Sequence, residues 1–356
     1  MVLVGWDTAV YNDSTFRIRN RDMDLNFTEE QEMLRASARD FLEKECPESV
    51  VREIEASDLG YSPDLWKKIA NLGWLGLVYP EQYGGAGMNV GDLAVLYEEF
   101  GRAMFPSPYM STIVLSGLTI LEAGNDKQKS DILPKVIKGD AIIALALSEP
   151  GASWEGMEWN PKSVTISATP DGEGYRLDGV QRFVHDANIA SIFLVPARTR
   201  ASAHPKDGIT LFLIGAESPG TSVTRLATTT GDNQCEVIFN QVCVLRENII
   251  GKLNGGWAPL SRSMQIGTVM LSAQMLGAGE RLLELSAEDY ETRVQSEMPG
   301  EVKQYNEEYL AHLRNDIDGC RETIYLAARN LAKGEPCDFE MTVVKGWSRY
   351  VSRGIS

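Results

Sequence analysis

The sequence predicts an α+β protein in which a β domain lies between two helical domains. Apolar residues recur with helical spacing from Thr28 to about residue 140, and again after Gly251. Between these regions, short segments of alternating polarity follow one another without intervening helices, which favours a barrel or sandwich over a parallel sheet. We therefore expect an arm at residues 1–22, a helical domain at 23–140, a β domain at 141–253 and a second helical domain at 254–356.

Length, charge and cysteine usage exclude several classes of protein. A chain of 356 residues with 43% hydrophobic content can bury more than one core, so two or three domains are expected. The net charge of −16 argues against a sequence-independent nucleic-acid binder, because phosphate binding needs an excess of Lys and Arg. The cysteines form no CxxC pair and the histidines lie far apart in sequence, so we predict a reducing, cytoplasmic location and no metal site.

The N-terminus carries no recognisable export signal. Residues 1–22 lack a basic start followed by a long apolar core, and no stretch of the sequence reaches the length of a membrane span. The segment from Met23 to Gln31 reads like the beginning of a folded protein. Residues 1–22 are therefore predicted to be a leader, a remnant of an early start codon or an arm without fixed structure. An ordered arm is the alternative.

The first domain contains clear helix signals. Thr28 and Gln31 have the spacing of a capping box, and Ser62-Pro63 begins a second helix that Gly73 ends. The glycines at 84, 85 and 87 resemble a phosphate loop, but their spacing misses GxGxxG, so a tight turn is the better interpretation. Further predicted helices are Val90 to Ala103, Ser111 to Ala123 and Asp126 to Lys138.

The β domain is predicted from short strand-like segments with Asp-Gly turns. Asp171-Gly172 and Asp178-Gly179 mark turns between them. The predicted strands are Ala141 to Leu147, Ser163 to Thr169, Tyr175 to Asp178, Gln181 to His185, Ile192 to Ala197, Ile209 to Leu213, Ser222 to Leu226 and Cys235 to Val244. After Gly251, helices are predicted at Trp257 to Ser286, at Val302 to Ala332 and from Asp338 to the end.

Several motifs together resemble one family. Ala146-Leu-Ser-Glu-Pro150, the run from Gly179 to Ala187 and Val195-Pro-Ala-Arg-Thr199 are similar to the middle domain of the acyl-CoA dehydrogenase family. The segments Leu25 to Gln31 and Leu75 to Gly85 are similar to its N-terminal domain, so the likeness extends from about residue 23 to the end. The resemblance implies an N-terminal α-helical domain, a middle β-barrel-like domain and a C-terminal four-helix bundle, whose last helix is incomplete in this chain.

The family binds FAD, and the resemblance assigns residues to that role. A flavin must be held with N5 over the β-carbon of the substrate, which requires a platform for the ring and ligands for the phosphates. The implied cofactor-binding residues are Leu147, Ser148, Phe183, Val184, His185, Arg293 and Gln304. Arg293 and Gln304 correspond to side chains that hold the pyrophosphate and adenosine of a neighbouring subunit's FAD. Ser296 and Glu297 replace the family's Phe-Gly pair there.

His185 departs from the pattern of many members, which have a small hydroxyl side chain at this position. An imidazole is larger and titrates near neutral pH. It either donates to the flavin or turns away and leaves the contact to its backbone N–H. It also leaves open a different reaction on the same scaffold, such as oxidation by molecular oxygen.

The implied substrate contacts are Ser153, Gln265, Gly267 and Thr268. Dehydrogenation of an acyl thioester needs a carboxylate that removes the α-proton and donors that stabilise the enolate oxygen. In one branch of the family the catalytic glutamate occupies the position of Gly267, where glycine cannot accept a proton. In the other branch the glutamate lies beyond the position of Ser356. The catalytic base is therefore unknown from the sequence.

Two functions follow from the resemblance. The first is an FAD-dependent acyl-CoA dehydrogenase that passes electrons to an electron-transfer flavoprotein. The alternative is a non-catalytic subunit that keeps the fold and completes the FAD site of a partner. Val184 to Ala187 and Gly231 to Cys235 are similar to members that act on bulky or dicarboxylic acyl-CoAs, such as those of aromatic or steroid breakdown. In either case we expect a homo- or hetero-tetramer, a dimer of dimers, without nucleic acid or a membrane span.

Overall fold

The first helical region packs its helices around an aromatic and aliphatic core. The computed structural model describes residues 27–147, 160–229, 231–294, 300–335 and 337–355, so the arm predicted at 1–22 lies outside the described residues. The helices of this region are α1 (Glu29–Glu45), α2 (Glu48–Ala56), α3 (Pro63–Asn71), α4 (Val90–Arg102), α5 (Leu118–Ala123) and α6 (Asp126–Ile137). Within their core, Trp66, Tyr79 and Phe100 are almost completely buried.

The helix starts predicted from local sequence are confirmed. Thr28 Oγ1 accepts from the N–H of Gln31, whose side-chain oxygen accepts from the N–H of Thr28, so a reciprocal capping box begins α1. Ser62 caps α3 by accepting from the N–H of Leu65. Gly84 follows a short 3₁₀ turn with φ 91°, so the glycine-rich segment is the tight turn that its spacing predicts.

The helix predicted at Ser111 to Ala123 begins as a π-helix, Met110–Gly117, before continuing as α5. A side chain from another segment accounts for its wide turn. The Tyr79 hydroxyl donates to the Ile113 carbonyl at 2.8 Å, and the Leu118 N–H reaches the same carbonyl across five residues. Gly117 leaves the room for this arrangement, because a Cβ there would lie 1.8 Å from the Tyr79 hydroxyl oxygen.

Among the described residues, the β domain forms one eight-stranded sheet. Its strands are β1 (Ile143–Leu145), β2 (Ser167–Asp171), β3 (Gly174–His185), β4 (Ile192–Arg198), β5 (Ile209–Gly215), β6 (Thr221–Arg225), β7 (Gln234–Leu245) and β8 (Ile249–Ile250). The order is β6-β7-β3-β2-β4-β5-β8, and β1 pairs with β4 in parallel. Antiparallel pairs dominate, as expected for a barrel-like domain built without crossover helices.

One predicted turn is wrong. The segments predicted as separate strands, Tyr175 to Asp178 and Gln181 to His185, form the single strand β3. The Asp-Gly pair at 178–179 lies inside this strand, where Gly179 has φ 153° and the pairing register with β7 shifts. A bulge therefore absorbs the extra residue without reversing the chain. The turn at Asp171-Gly172 is confirmed, with Gly172 at φ 57° between β2 and β3.

Long helices of the C-terminal bundle complete the described chain. They are α7 (Trp257–Val294), α8 (Gly300–Lys333) and α9 (Asp338–Ile355), and each packs against the other two. The backbones of α4 and α7 nearly touch, because a Cβ at Gly277 would lie 1.8 Å from the Glu98 carbonyl oxygen. This close crossing fixes α7 against the first domain. No described helix is both long and apolar enough to cross a bilayer.

A buried ionic network lies at the same crossing. Glu98, on α4, is 1% exposed and accepts from Arg35 at 2.8 Å and from the Tyr325 hydroxyl at 2.7 Å. Arg321, on α8, lies 3.4 Å from the same carboxylate. Burial raises the pKa of Glu98, and the charges of Arg321 and Arg35 oppose that rise. The buried Glu98 carboxyl group thus links α1, α4 and α8.

Candidate functional site

The π-helix lies between the structural elements that carry most of the predicted site residues. On one side, Thr112 Oγ1 accepts from the N–H of Ile143 in β1 at 3.1 Å. On a second side, Ser111 Oγ lies 2.6 Å from a carboxylate oxygen of Asp186, directly after β3. On a third side, the helix packs against α7, where Leu115 faces Gly267. The predicted flavin wall and the predicted substrate helix are therefore brought to one region of the chain.

The end of β3 presents the predicted flavin contacts. Phe183 and His185 are exposed, whereas Val184 between them is 1% exposed and faces the core. Phe183 has φ 57°, in the left-handed region that few residues other than glycine adopt. A register shift with β7 falls between Gln181 and Val184, so this end of the strand is bent and re-aims its side chains.

Leu147 and the polar turn that follows it continue from β1. Leu147 is 6% exposed and belongs to the hydrophobic core. The Ala146 N–H donates to the Leu194 carbonyl at 2.9 Å, so the chain here still runs beside β4. Ser148 and Ser153, predicted to contact the flavin and the substrate, lie outside the described residues.

The predicted substrate contacts on α7 lie opposite the π-helix. Gly267 is buried, and Gln265 and Thr268 are half-buried. A Cβ at position 267 would lie 2.9 Å from Leu115 Cδ2 and 3.6 Å from Met110 Sδ. The Thr268 hydroxyl donates to the Met264 carbonyl at 3.0 Å, which leaves it able only to accept from a ligand.

The two residues predicted to hold the FAD of a neighbouring subunit lie at the far end of the bundle. Arg293 is in the last turn of α7, and its side chain is outside the described part of the structure. Gln304 is exposed on α8 and donates to Glu308 at 2.9 Å. Its amide therefore faces away from the core of its own chain.

Sequence reasoning missed a buried polar cluster directly behind the β3 edge. Asp186 is 9% exposed, has φ 62° and contacts both Ser111 and Asn233. Burial raises the pKa of Asp186 to about 6, against the opposing effects of the Ser111 hydrogen bond, the nearby His185 and Asn233. A sequence signal exists, because Asp is one of the few residues enriched at left-handed positions, but the partners are distant in sequence.

The described residues fit the ring system of a flavin. Phe183 leaves 46% of its surface exposed even though its backbone is held in a strained conformation. An exposed aromatic face on such a segment is suited to a flat, largely apolar ring. Leu147 and Val184 are buried and belong to the hydrophobic core. Further polar contacts to the ring are expected from backbone groups in this wall.

Comparison with known proteins identifies the family. Three family models match consecutive parts of the chain: the N-terminal domain of acyl-CoA dehydrogenase at residues 28–140, its middle domain at 144–242 and its C-terminal domain at 254–353. A 3-(aryl)acrylate reductase of Clostridium sporogenes is 30% identical over 90% of this chain and 84% of its own length. A caffeyl-CoA reductase-Etf complex subunit, CarC, of Acetobacterium woodii is 29% identical over 73% of this chain and 68% of its own.

A solved structure agrees with these matches. The ChsE4-ChsE5 complex from Mycobacterium tuberculosis contains a chain that superposes with a TM-score of 0.81 and 27% identity, over 94% of this chain and 86% of that one. The architecture is thus that of a flavin-dependent oxidoreductase built from helical, β and helical domains. The chain belongs to the acyl-CoA dehydrogenase family. The predicted fold, enzyme class and FAD cofactor are confirmed at this level.

Proposed function

We propose that this chain takes part in the α,β-dehydrogenation of an acyl-CoA thioester in the cytoplasm, with electrons passed to an electron-transfer flavoprotein. The observation that carries the proposal is the exposed ring of Phe183 at a strand end whose backbone is held in the left-handed region. When bound, FAD supplies a hydride acceptor opposite the β-carbon of the substrate. The relative from Acetobacterium woodii is named as part of a complex with an electron-transfer flavoprotein, which supports the proposed acceptor.

The chain's own residues would bind and orient the two reactants. Phe183 forms the platform for the flavin ring, and His185 either donates to the ring or contributes only its backbone N–H. Across the π-helix, α7 offers the acyl group an apolar surface with one amide, Gln265, left half-buried. Packing of Met110 and Leu115 against Gly267 keeps water out of this side of the site.

The thioester's nucleotide is proposed to lie against the β domain. The end of β4 at Arg198 borders a cavity of about 510 Å³. Its lining includes the cations Lys162, Arg198 and Arg200. Positive charge at this place suits the phosphates of CoA. Charge reversal at Lys162 and Arg200 is expected to raise the KM for acyl-CoA about tenfold, whereas reversal of Lys127 on α6 leaves it unchanged.

A second candidate function is favoured by the packing at Gly267. This position has no carboxylate, and Leu115 occupies the space into which a side chain would extend. In this proposal the proton-removing group lies elsewhere in the chain or on another chain. A non-catalytic subunit that completes a partner's FAD site is consistent with this, and the related ChsE4-ChsE5 structure is described as a complex of two proteins.

An exposed apolar stripe supports the proposed tetramer. Leu271, Leu282 and Leu285 on α7 are 50%, 39% and 44% exposed, and their spacing places them along one side of the helix. Another bundle packed on this side would remove them from water. Light scattering of the purified protein tests the assembly, and Leu282→Glu is expected to shift it towards smaller species. A wild-type monomer would contradict the proposal.

The decisive experiment compares the chain purified alone with the chain co-expressed with the product of a neighbouring gene. We expect a visible flavin band in at least one preparation, and bleaching of that band when acyl-CoA is added without oxygen. Flavin and bleaching in the chain alone support the self-sufficient enzyme. Flavin only in the co-expressed complex supports the partner-completing subunit. Absence of flavin from both preparations would contradict both functions.

A variant pair tests the role of Gly267. Gly267→Glu in a Leu115→Ala background provides both a carboxylate and the volume that it needs. We expect this pair to gain or increase acyl-CoA-dependent bleaching, while Gly267→Gln in the same background does not, because an amide cannot accept the proton. Equal bleaching with Glu and Gln would show that the carboxylate is irrelevant at this position.

A further inference from the structure

The flavin-facing end of β3 is held in a conformation that its own sequence does not favour. Phe183 and Asp186 have φ 57° and 62°, two left-handed residues within four positions, and a register shift precedes Val184. Such a backbone conformation is sparsely populated and persists only where neighbouring contacts impose it. Contacts from elsewhere in the chain must therefore hold this segment in place.

Asp186 makes those contacts. Its N–H donates to the Asn233 carbonyl at 3.0 Å, and its carboxylate lies 2.6 Å from Ser111 Oγ and 3.5 Å from Asn233 Nδ2. Asn233 Nδ2 also donates to the Leu59 carbonyl at 3.0 Å. The end of β3 is thus joined to the π-helix, to the chain before β7 and to the loop between α2 and α3.

Ser111 provides the link from Asp186 to the π-helix. Its Oγ donates to Asp186 Oδ2 at 2.6 Å and lies 3.1 Å from the Pro108 carbonyl oxygen. That carbonyl also accepts from the Thr112 N–H at 3.0 Å, so Ser111 can give its one hydrogen to Asp186 without leaving the carbonyl unpaired. Ser111 and Asn233 thus both donate to the buried Asp186 carboxylate.

We propose that Asp186 is a positioning residue for the flavin site: by accepting from Ser111 and Asn233, it holds Phe183 and His185 in the orientation that receives the ring. The inference rests on the proposed function, because it takes Phe183 and His185 to face the flavin. It adds that the flavin wall and the π-helix of the acyl side are mechanically joined. A disturbance on either side is then transmitted to the other through one buried carboxyl group.

Asp186→Ala and Asp186→Asn separate this role from simple packing. An asparagine at 186 can still accept from Ser111 and tolerates a left-handed backbone, so we expect it to keep the wild-type FAD affinity and flavin band. In Asp186→Ala the contacts are lost, and hydrogen exchange at residues 183–187 is expected to quicken about tenfold, the factor that one buried hydrogen bond of about 1.4 kcal/mol sets. FAD affinity of the flavin-containing preparation is expected to fall by a similar factor, with a shift of the visible flavin band.

Asp178→Ala is the matched control. Asp178 lies inside β3, next to the bulge at Gly179, and accepts from the Gln241 N–H at 3.0 Å. It should leave exchange at 183–187 and the flavin band unchanged. If Asp186→Ala does not fold, Ser111→Ala removes the same link with a smaller change. Unchanged exchange in both variants, or equal effects in Asp178→Ala, would overturn the inference. Absence of flavin from the wild type would instead contradict the proposed function and leave the exchange result to decide the link.

Discussion

Replacing Asp186 by asparagine is expected to stabilise the protein at neutral and alkaline pH. Burial raises the pKa of Asp186 to about 6 from an ordinary 3.8, so the ionised side chain is disfavoured in the folded state. At about 1.36 kcal/mol for each unit of pKa, this difference corresponds to about 3 kcal/mol. Asparagine has nearly the same shape, can still form a hydrogen bond with Ser111 and carries no charge. The free energy of unfolding of Asp186→Asn should therefore exceed that of wild type by about 3 kcal/mol at pH 8.

The gain has a definite dependence on pH. In wild type the favourable neutral form contributes fully below pH 3.8, where folded and unfolded chains are both protonated. That contribution is lost as pH rises through about 6. The advantage of Asp186→Asn should therefore be largest at pH 8 and smaller by about 0.8 kcal/mol at pH 5.5. The titratable groups around Asp186 are His185, Asp232, Cys235 and Tyr97, and the substitution leaves them all in place.

Thermal unfolding of the two proteins with excess FAD measures this effect. An unfolding entropy of about 2.1 cal/mol/K per residue gives about 0.75 kcal/mol/K for 356 residues, so 3 kcal/mol corresponds to a rise in Tm of about 4 °C at pH 8. Asp178→Asn is the control: this residue is half-buried inside β3, and its substitution should show no such rise in Tm. A Tm at pH 8 equal to or below that of wild type, or a gain independent of pH, would refute the reasoning.

Three further substitutions test the packing and the flavin wall. Gly277→Ala should lower the free energy of unfolding by about 3 kcal/mol in chemical unfolding, because the new Cβ meets the Glu98 carbonyl. Gly346→Ala on α9 is the control. Open space surrounds this position, so the substitution should be neutral or stabilising by up to about 1 kcal/mol. Glu98→Ala should cost about 1–3 kcal/mol, because the Tyr325 hydroxyl and Arg35 lose a buried acceptor. Arg321 keeps Glu280 and Asp318 as partners, and a loss below about 0.5 kcal/mol would contradict the network's importance. Phe183→Ala should weaken FAD binding at least about tenfold in a fluorescence titration. Phe183→Tyr keeps an aromatic side chain and should bind FAD as wild type does. Equal FAD affinities of the two variants would argue against contact between residue 183 and the flavin ring.

The parts of the fold that sequence predicts well are those set by neighbouring residues. Thr28 with Gln31 forms its capping box, and Ser62 with Pro63 begins α3, because both signals act within one helical turn. The order of helical, β and helical domains also follows from periodicity that each segment carries alone. The turn at Asp178-Gly179 failed as a prediction because pairing with β7, a partner distant in sequence, turns a local turn signal into a bulge.

The candidate site was less predictable because its geometry depends on distant contacts. The π-helix depends on the hydrogen bond that the Tyr79 hydroxyl, from another segment, donates to the Ile113 carbonyl. No sequence pattern within residues 110–117 predicts this contact. The Asp186 cluster needs Ser111 and Asn233 to converge from two further segments. Family resemblance named the residues of the flavin wall. It could not say what holds them in place.

The π-helix also changes the meaning of Gly267. From the sequence alone, Gly267 differs from one branch of the family only by lacking a glutamate, which a single substitution would introduce. In the structure, Leu115 and Met110 fill the adjacent space, and their position follows from the wide turn that Tyr79 and Gly117 impose. A carboxylate at 267 therefore conflicts with the packing of a different domain. The glycine at this position is thus fixed by the packing of two elements of the fold, α7 and the π-helix.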